Sequence, residues 1–109
     1  MIGMIQIGNT LILNSDASVP AAIKSYDGYC TVTCGLSTRS TITASSILDD
    51  GFTYCLQRGI FSLCGKEIAP QEFKVKWREK PDDLYPYLAA VTLLLLCGVS
   101  VETFAYLKF

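Results

Sequence analysis

Five cysteines, two adjacent pairs of aspartates and a complete lack of histidine define the chemistry open to this sequence. Without histidine, Ser-His-Asp and Cys-His catalysis, imidazole ligation of metals and histidine-based pH switching are all excluded. Cys30, Cys34, Cys55 and Cys64 precede a long apolar stretch, and Cys97 lies inside it. An even number of cysteines before that stretch would suit two disulfides in an extracellular domain. If residues 29–34 form a strand, however, Cys30 and Cys34 share a face roughly 13 Å apart, too far for a mutual disulfide or a common zinc ion. Reduced cysteines packed as small hydrophobes are the expectation, with disulfides between hairpins as the alternative. Asp49-Asp50 and Asp82-Asp83 place carboxylates side by side, but in turn sequences such pairs ordinarily serve turns and helix caps rather than acid/base work. No calcium loop, Walker loop or dinucleotide glycine pattern is present. The expectation is a protein that is not an enzyme, with no catalytic residues, no metal, no cofactor and no small-molecule substrate. A net charge of −1 also gives no general attraction to nucleic acid.

The elements that would position these groups divide at about residue 80. From Leu84 to Val101 the chain carries no charge (LYPYLAAVTLLLLCGVSV). Continued through Glu102 to Leu107, the stretch reaches the roughly 20 residues that a helix needs to cross a bilayer core about 30 Å thick. The expected architecture is a small mainly β domain over residues 1–80, as a meander, small barrel or sandwich, a hinge at 81–83, and one C-terminal transmembrane helix over 84–107. The densely apolar part is shorter, Leu88 to Val101, and a run of that length also fits a buried core helix or an interfacial segment. Trp77, Tyr85 and Tyr87 at one end and Tyr106 at the other resemble the aromatic belts of a bilayer and favour the span. Asp82 or Asp83 is placed to cap the helix start, with Pro86 in the first turn.

Basic residues set the expected orientation. Lys74, Lys76, Arg78 and Lys80 lie just before the helix, against Lys108 alone after it. The excess of Lys and Arg marks the cytoplasmic side, so the β domain would sit in the cytoplasm, or face the capsid in a membrane-containing virion. The opening residues lack the basic and uninterrupted apolar regions of a signal peptide. The same basic face would lie against anionic headgroups or be a solvated strand face. Helical spacing puts Leu94, Gly98, Glu102 and Ala105 on one stripe, where small residues would admit a neighbouring helix and Glu102 would find a partner or snorkel.

Within the β domain, Met4–Leu13 reads as a hairpin turning at Gly8-Asn9, and Ile23–Tyr26 with Tyr29–Cys34 reads as a second turning at Asp27-Gly28. Leu36–Leu48 is rich in Ser and Thr and reads as an edge or half-exposed strand. Phe52–Leu56 and Ile60–Cys64 flank a possible third hairpin, with a short helix over 46–58 competing. Phe73, Val75 and Trp77 alternate with Lys74, Lys76 and Arg78, the pattern of a strand with one buried and one basic face.

This combination predicts a single-pass structural or assembly subunit whose partners are the lipid bilayer and other protein subunits. A virion membrane-to-capsid linker is one example. An accessory subunit of an energy-transducing membrane complex and a disulfide-bonded extracellular recognition module are the alternatives.

Overall fold

The computed structural model describes residues 4–14 and 30–109, with Met4 and Cys30 by backbone alone. Eight strands are present among the described residues: β1 (Met4–Ile7), β2 (Thr10–Asn14), β3 (Cys30–Cys34), β4 (Ile42–Leu48), β5 (Gly51–Leu56), β6 (Ile60–Phe61), β7 (Glu67–Ile68) and β8 (Gln71–Lys76). Among the described residues there is one α-helix, α1 (Tyr85–Leu96), followed by a 3₁₀ turn over Val101–Ala105. Six strands form one mixed sheet in the order β1-β2-β3-β4-β5-β8, while β6 and β7 pair separately as a small arm.

Local sequence explains the first hairpin. β1 and β2 pair from Met4↔Leu13 to Ile7↔Thr10, leaving Gly8 and Asn9 as the turn. Gly8 adopts φ +57°, the positive value that this tight connection demands and that glycine reaches without strain. The meander then breaks down, because β2–β3 and β3–β4 are both parallel pairs. The expected second hairpin cannot be followed, since Ile23–Tyr26 and Asp27-Gly28 lie outside the described residues. The expected third hairpin is not formed. β5 pairs antiparallel with β4 and β8, and β6 turns to β7 instead.

The Ser/Thr-rich strand β4 has two characters. Its first residue, Ile42, is fully buried and pairs with both Cys34 and Leu56. Beyond that point β3 has ended, so Ser45–Leu48 is exposed and the β4–β5 register shifts between Ser45 and Leu48. Ser46 takes φ +48° within this irregularity, a left-handed conformation uncommon for a residue with a Cβ. In β8 the alternation read from the sequence is present: Val75 and Trp77 are buried and Phe73 half-buried, whereas Lys74, Lys76 and Arg78 are exposed.

Residues opposite one another across a sheet share a face. Ile12↔Val32, Cys34↔Ile42↔Leu56, Phe52↔Val75 and Tyr54↔Phe73 therefore build one apolar surface, and α1 packs on it through Leu88, Ala89, Val91, Leu95 and Leu96. The stretch expected to span a bilayer is thus the second layer of the core. α1 has 12 residues, so it is about 18 Å long against a bilayer core of about 30 Å. No helix among the described residues is long and apolar enough to cross a membrane. The described residues form a mainly β domain with one short helix, and the transmembrane helix over 84–107, the single-pass placement and the orientation inferred from the basic residues are all overturned.

Gly98 is the local reason. It adopts φ +94°, and the main chain closes on itself there: the Gly98 N–H donates to Leu95 O and the Val99 N–H to Leu94 O, both at 3.0 Å. This is a Schellman ending, which satisfies two of the last carbonyls and turns the chain out of the helix. The small residue expected to admit a second helix therefore stops the first. Space is open around Gly98, so only its backbone conformation resists substitution. Gly98→Ala should lower stability by about 1 kcal/mol and Gly98→Asn by less, read from urea unfolding midpoints. A packing seam would instead tolerate alanine and leave the stability of the isolated chain unchanged.

Candidate functional site

Trp77 organises the cleft at the start of the helix. It continues the inward alternation of β8, is 1 % exposed, and stacks on Phe52 with ring centroids 5.0 Å apart. Its indole N–H is shared between the carbonyls of Leu48 and Asp49 at 3.0 and 2.9 Å, and its backbone N–H reaches Asp50 O at 3.2 Å. One side chain thereby clamps the β4–β5 turn and the Asp49-Asp50 pair within it. Tyr87 meets the other side of the indole edge-on at 5.6 Å.

The start of α1 supplies the opposite wall. Asp83 Oδ1 accepts the Tyr85 N–H at 3.0 Å and so satisfies one free donor of the helix start from the residue before the N-cap, Leu84, which makes no side-chain cap bond itself; Pro86 lies in the first turn. The Tyr85 hydroxyl reaches across the core to Ile12 O at 3.4 Å. Between these walls lies an open cleft of about 400 Å³ whose apolar lining includes Leu36, Ile47, Trp77, Leu84, Tyr85 and Leu88, with Lys80, Asp82 and Asp83 also contributing. Leu36 is 60 % exposed and Ile47 37 %. Leu48, on the same turn, is also exposed.

A second apolar feature sits at the far end of the helix. The Leu63 N–H donates to Leu96 O at 2.9 Å and ties the β6–β7 arm to the last turn of α1. Phe61 and Leu63 project from this arm, 56 % and 47 % exposed. Beside them is a shallow hollow of about 290 Å³ bordered by Cys64, Ile68, Leu95 and Val99.

Inside the molecule, Thr92 joins helix to sheet. Its hydroxyl donates to Leu88 O at 2.7 Å and accepts the Tyr54 hydroxyl at 2.8 Å, with Cys34 Sγ 3.9 Å away. Burial removes water from both ionisable members, pushing the Cys34 thiol up to about 12 and the Tyr54 phenol well above its ordinary value; the hydrogen bonds to Thr92 pull the other way. Both stay protonated at neutral pH, so this group is a polar brace rather than a nucleophile. Cys64 is the opposite case. It is exposed, and the Ser62 hydroxyl 3.1 Å from its sulfur lowers its pKa, helped by the backbone at Lys66. Cys55, Cys64 and Cys97 are free thiols, so two disulfides among the four N-terminal cysteines are not made. No group of three or more potential metal ligands occurs among the described residues.

The structure redistributes the residues singled out in the sequence. Trp77, Tyr85 and Tyr87 do come together, as parts of the cleft and core rather than a membrane belt, whereas Tyr106 is 89 % exposed and is not in the cleft lining. Leu94 is half-buried against the core, Gly98 lies past the helix end, and Glu102 and Ala105 are exposed in the 3₁₀ turn, so no stripe connects them. The Glu102 carboxyl is held below its usual pKa first by its own backbone N–H and then by the Ser100 hydroxyl, both at the start of that turn. Of the basic residues, Lys80 lines the cleft, the Lys76 ammonium donates to Ala105 O at 3.3 Å, and the Arg78 N–H bonds Phe109 O at 2.8 Å. The Phe109 N–H in turn bonds Lys76 O, so the end of the chain pairs with β8. Leu36 and Ile47 carried no sequence signal of their own. Thr92 did carry one, as the sole polar residue between Leu88 and Leu96. No family model matches the chain, and neither a curated protein nor a solved structure shows significant similarity to it.

Thr92→Val should cost about 1–3 kcal/mol, because it leaves the Tyr54 hydroxyl buried without its partner, and adding Tyr54→Phe should recover part of that loss in a double-mutant cycle. Thiol reactivity should follow the pKa order. In native protein near pH 8, Cys64 should alkylate fastest while Cys34 reacts only after unfolding. Because the folded pKa of Cys34 lies above the ordinary value of 9.0, the associated stability is complete below pH 9 and is lost as pH rises toward about 12. Urea midpoints should therefore fall above pH 9, and less steeply in Cys34→Val.

Proposed function

We propose that the chain is a non-catalytic structural subunit that works by docking against other protein subunits of a larger assembly. One observation carries this reading: of the six large apolar side chains exposed among the described residues, Leu36 and Ile47 border the Trp77 cleft and Phe61 and Leu63 sit together on the β6–β7 arm, with Leu48 and Tyr106 outside both. Scattered single leucines are ordinary on a protein surface, whereas apolar residues gathered around a cleft are what protein partners use. The buried ionisable groups are in keeping with the same reading, since burial holds Cys34 and Tyr54 in their neutral forms. A role in tying a bilayer to a protein shell depended on the span and is not retained.

Size in its native setting tests this. In gentle extracts of the cells that make it, the chain should elute far above its own 11.9 kDa. The double variant Leu36→Asp/Phe61→Asp should shift to the monomer position while keeping its thermal unfolding midpoint. Elution of the native chain as a monomer would overturn the reading.

A further inference from the structure

The two edges of the main sheet are finished differently. β8 closes one end of the strand order and β1 the other. Along β8, outward backbone groups are taken up by the end of the chain, with the Phe109 N–H on Lys76 O at 2.9 Å and the Arg78 N–H on Phe109 O at 2.8 Å, and Lys74 and Lys76 add exposed charge. Natural proteins guard sheet edges by cover and by charge, because a row of unpaired N–H and C=O groups is a template for another strand. β1 carries no charge and no proline, and no charged side chain precedes Asp16. Its register with β2 runs unbroken from Met4↔Leu13 to Ile7↔Thr10. The two-residue turn closes on Ile7↔Thr10, so that pair and Ile5↔Ile12 exchange the hydrogen bonds of the hairpin, and the N–H and C=O of Met4 and Gln6 point away from β2. Among the described residues nothing bonds to that outer backbone. Gln6 is exposed, and its side-chain amide reaches Gly8 O at 3.4 Å within its own hairpin.

We propose that β1 pairs antiparallel with β1 of a second copy about a two-fold axis, joining the two six-stranded sheets into one. One register uses every outward group of both strands: Met4 opposite Gln6 of the second copy, Gln6 opposite its Met4, and the axis at Ile5. Ile5 is half-buried against the core on the helix side of the sheet, and in this register it meets its own counterpart and loses the water it still touches. The lack of charge on β1 favours this occupant, since self-pairing sets no like charges opposite one another and no charge is present to steer an unlike strand to the edge. Pairing of β1 with β8 of another copy is opposed by Phe109 and the lysines on that edge. The contact is therefore isologous and closes at two copies. Each strand presents only Met4 and Gln6 outward, so the contact is small and the dimer weak; it forms in concentrated solution and dissociates at the dilution of a cell extract. This edge is separate from the Trp77 cleft and the β6–β7 arm, and the inference does not rest on the docking reading above.

Sedimentation equilibrium of the full-length purified chain, over a concentration series up to its solubility limit, tests this. The weight-average mass should climb from 11.9 kDa toward twice that value and no further. Added salt should change the climb little, because no charged side chain lies in the contact. Gln6→Lys brings two ammonium groups onto the joined face, and because Gln6 is exposed the variant should keep the wild-type unfolding midpoint while sedimenting as a monomer. Gln6→Pro, which deletes an outward N–H that the hairpin does not use, should do the same and replaces the lysine variant if that one fails to fold. Leu36→Asp/Phe61→Asp should dimerise as the wild type does. Amide exchange locates the contact: the Gln6 N–H should exchange quickly in dilute solution and more slowly as the mass rises, while those of Ile5 and Ile7 change little. A chain that stays monomeric at every concentration sinks the proposal, and that is the result expected if a strand of another protein fills the edge instead. A dimer that survives both Gln6 variants, or that leaves Gln6 exchange unchanged, also overturns it, as does growth past the dimer in Leu36→Asp/Phe61→Asp. The size of the native particle tests the assembly reading separately.

Discussion

Everything in this fold answers to one constraint: a twelve-residue helix that is apolar on nearly all sides has to be kept from water. Of the residues of α1, only Pro86 is exposed, and the rest are buried or half-buried. Each fully buried side chain of this kind contributes about 1.5–3 kcal/mol relative to leaving it in water. One face rests on the sheet, and the sheet can offer a continuous apolar floor only because five of its strands align their inward residues in register. Thr92 is the exception that proves compatible with this burial, because its hydroxyl is satisfied by Leu88 O below and the Tyr54 hydroxyl above.

Covering the helix also shapes the surface. The chain leaves α1 through the Gly98 turn and folds back so that Phe104 is buried against Phe73 and the terminal Phe109 pairs with β8, which occupies part of an edge that would otherwise be open. At the other end the coverage is incomplete. Trp77 draws the β4–β5 turn toward the helix start, but Leu36 and Ile47 stop short of closing the gap and leave the cleft. The β6–β7 arm, bonded to the helix end by its backbone, turns Phe61 and Leu63 outward. The two exposed apolar features are therefore by-products of how a small domain packs around one helix.

Much of the local structure was legible in the sequence. Gly8-Asn9 between two apolar runs specified a two-residue turn, the alternation of Phe73, Val75 and Trp77 with basic residues specified the inward face of β8, and Asp83 with Pro86 specified the helix start. Each is a short-range property in which the residue itself supplies the needed φ, periodicity or capping oxygen. Gly98 was noticed for its size and not for its conformational freedom, although both follow from the same missing side chain. The Ser/Thr-rich segment was legible as half-exposed, because its residues could not form a full apolar face.

What the sequence by itself determined is therefore a set of elements, a lack of histidine chemistry and one intensely apolar segment that must leave water. Whether that segment enters lipid or the protein's own core was a tertiary decision. Hydrophobicity measures the cost of exposure and is indifferent to what replaces the water, so the same leucines satisfy a bilayer or a sheet. The outcome turned on the apolar floor assembled from strands far apart in the chain, on two parallel strand pairs that no local pattern encodes, and on the chain reversal at Gly98. The cleft arose in the same way. Leu36, Ile47, Trp77 and Leu84 are separated by many residues and share no motif, and only the packing of the helix against the sheet brings them together.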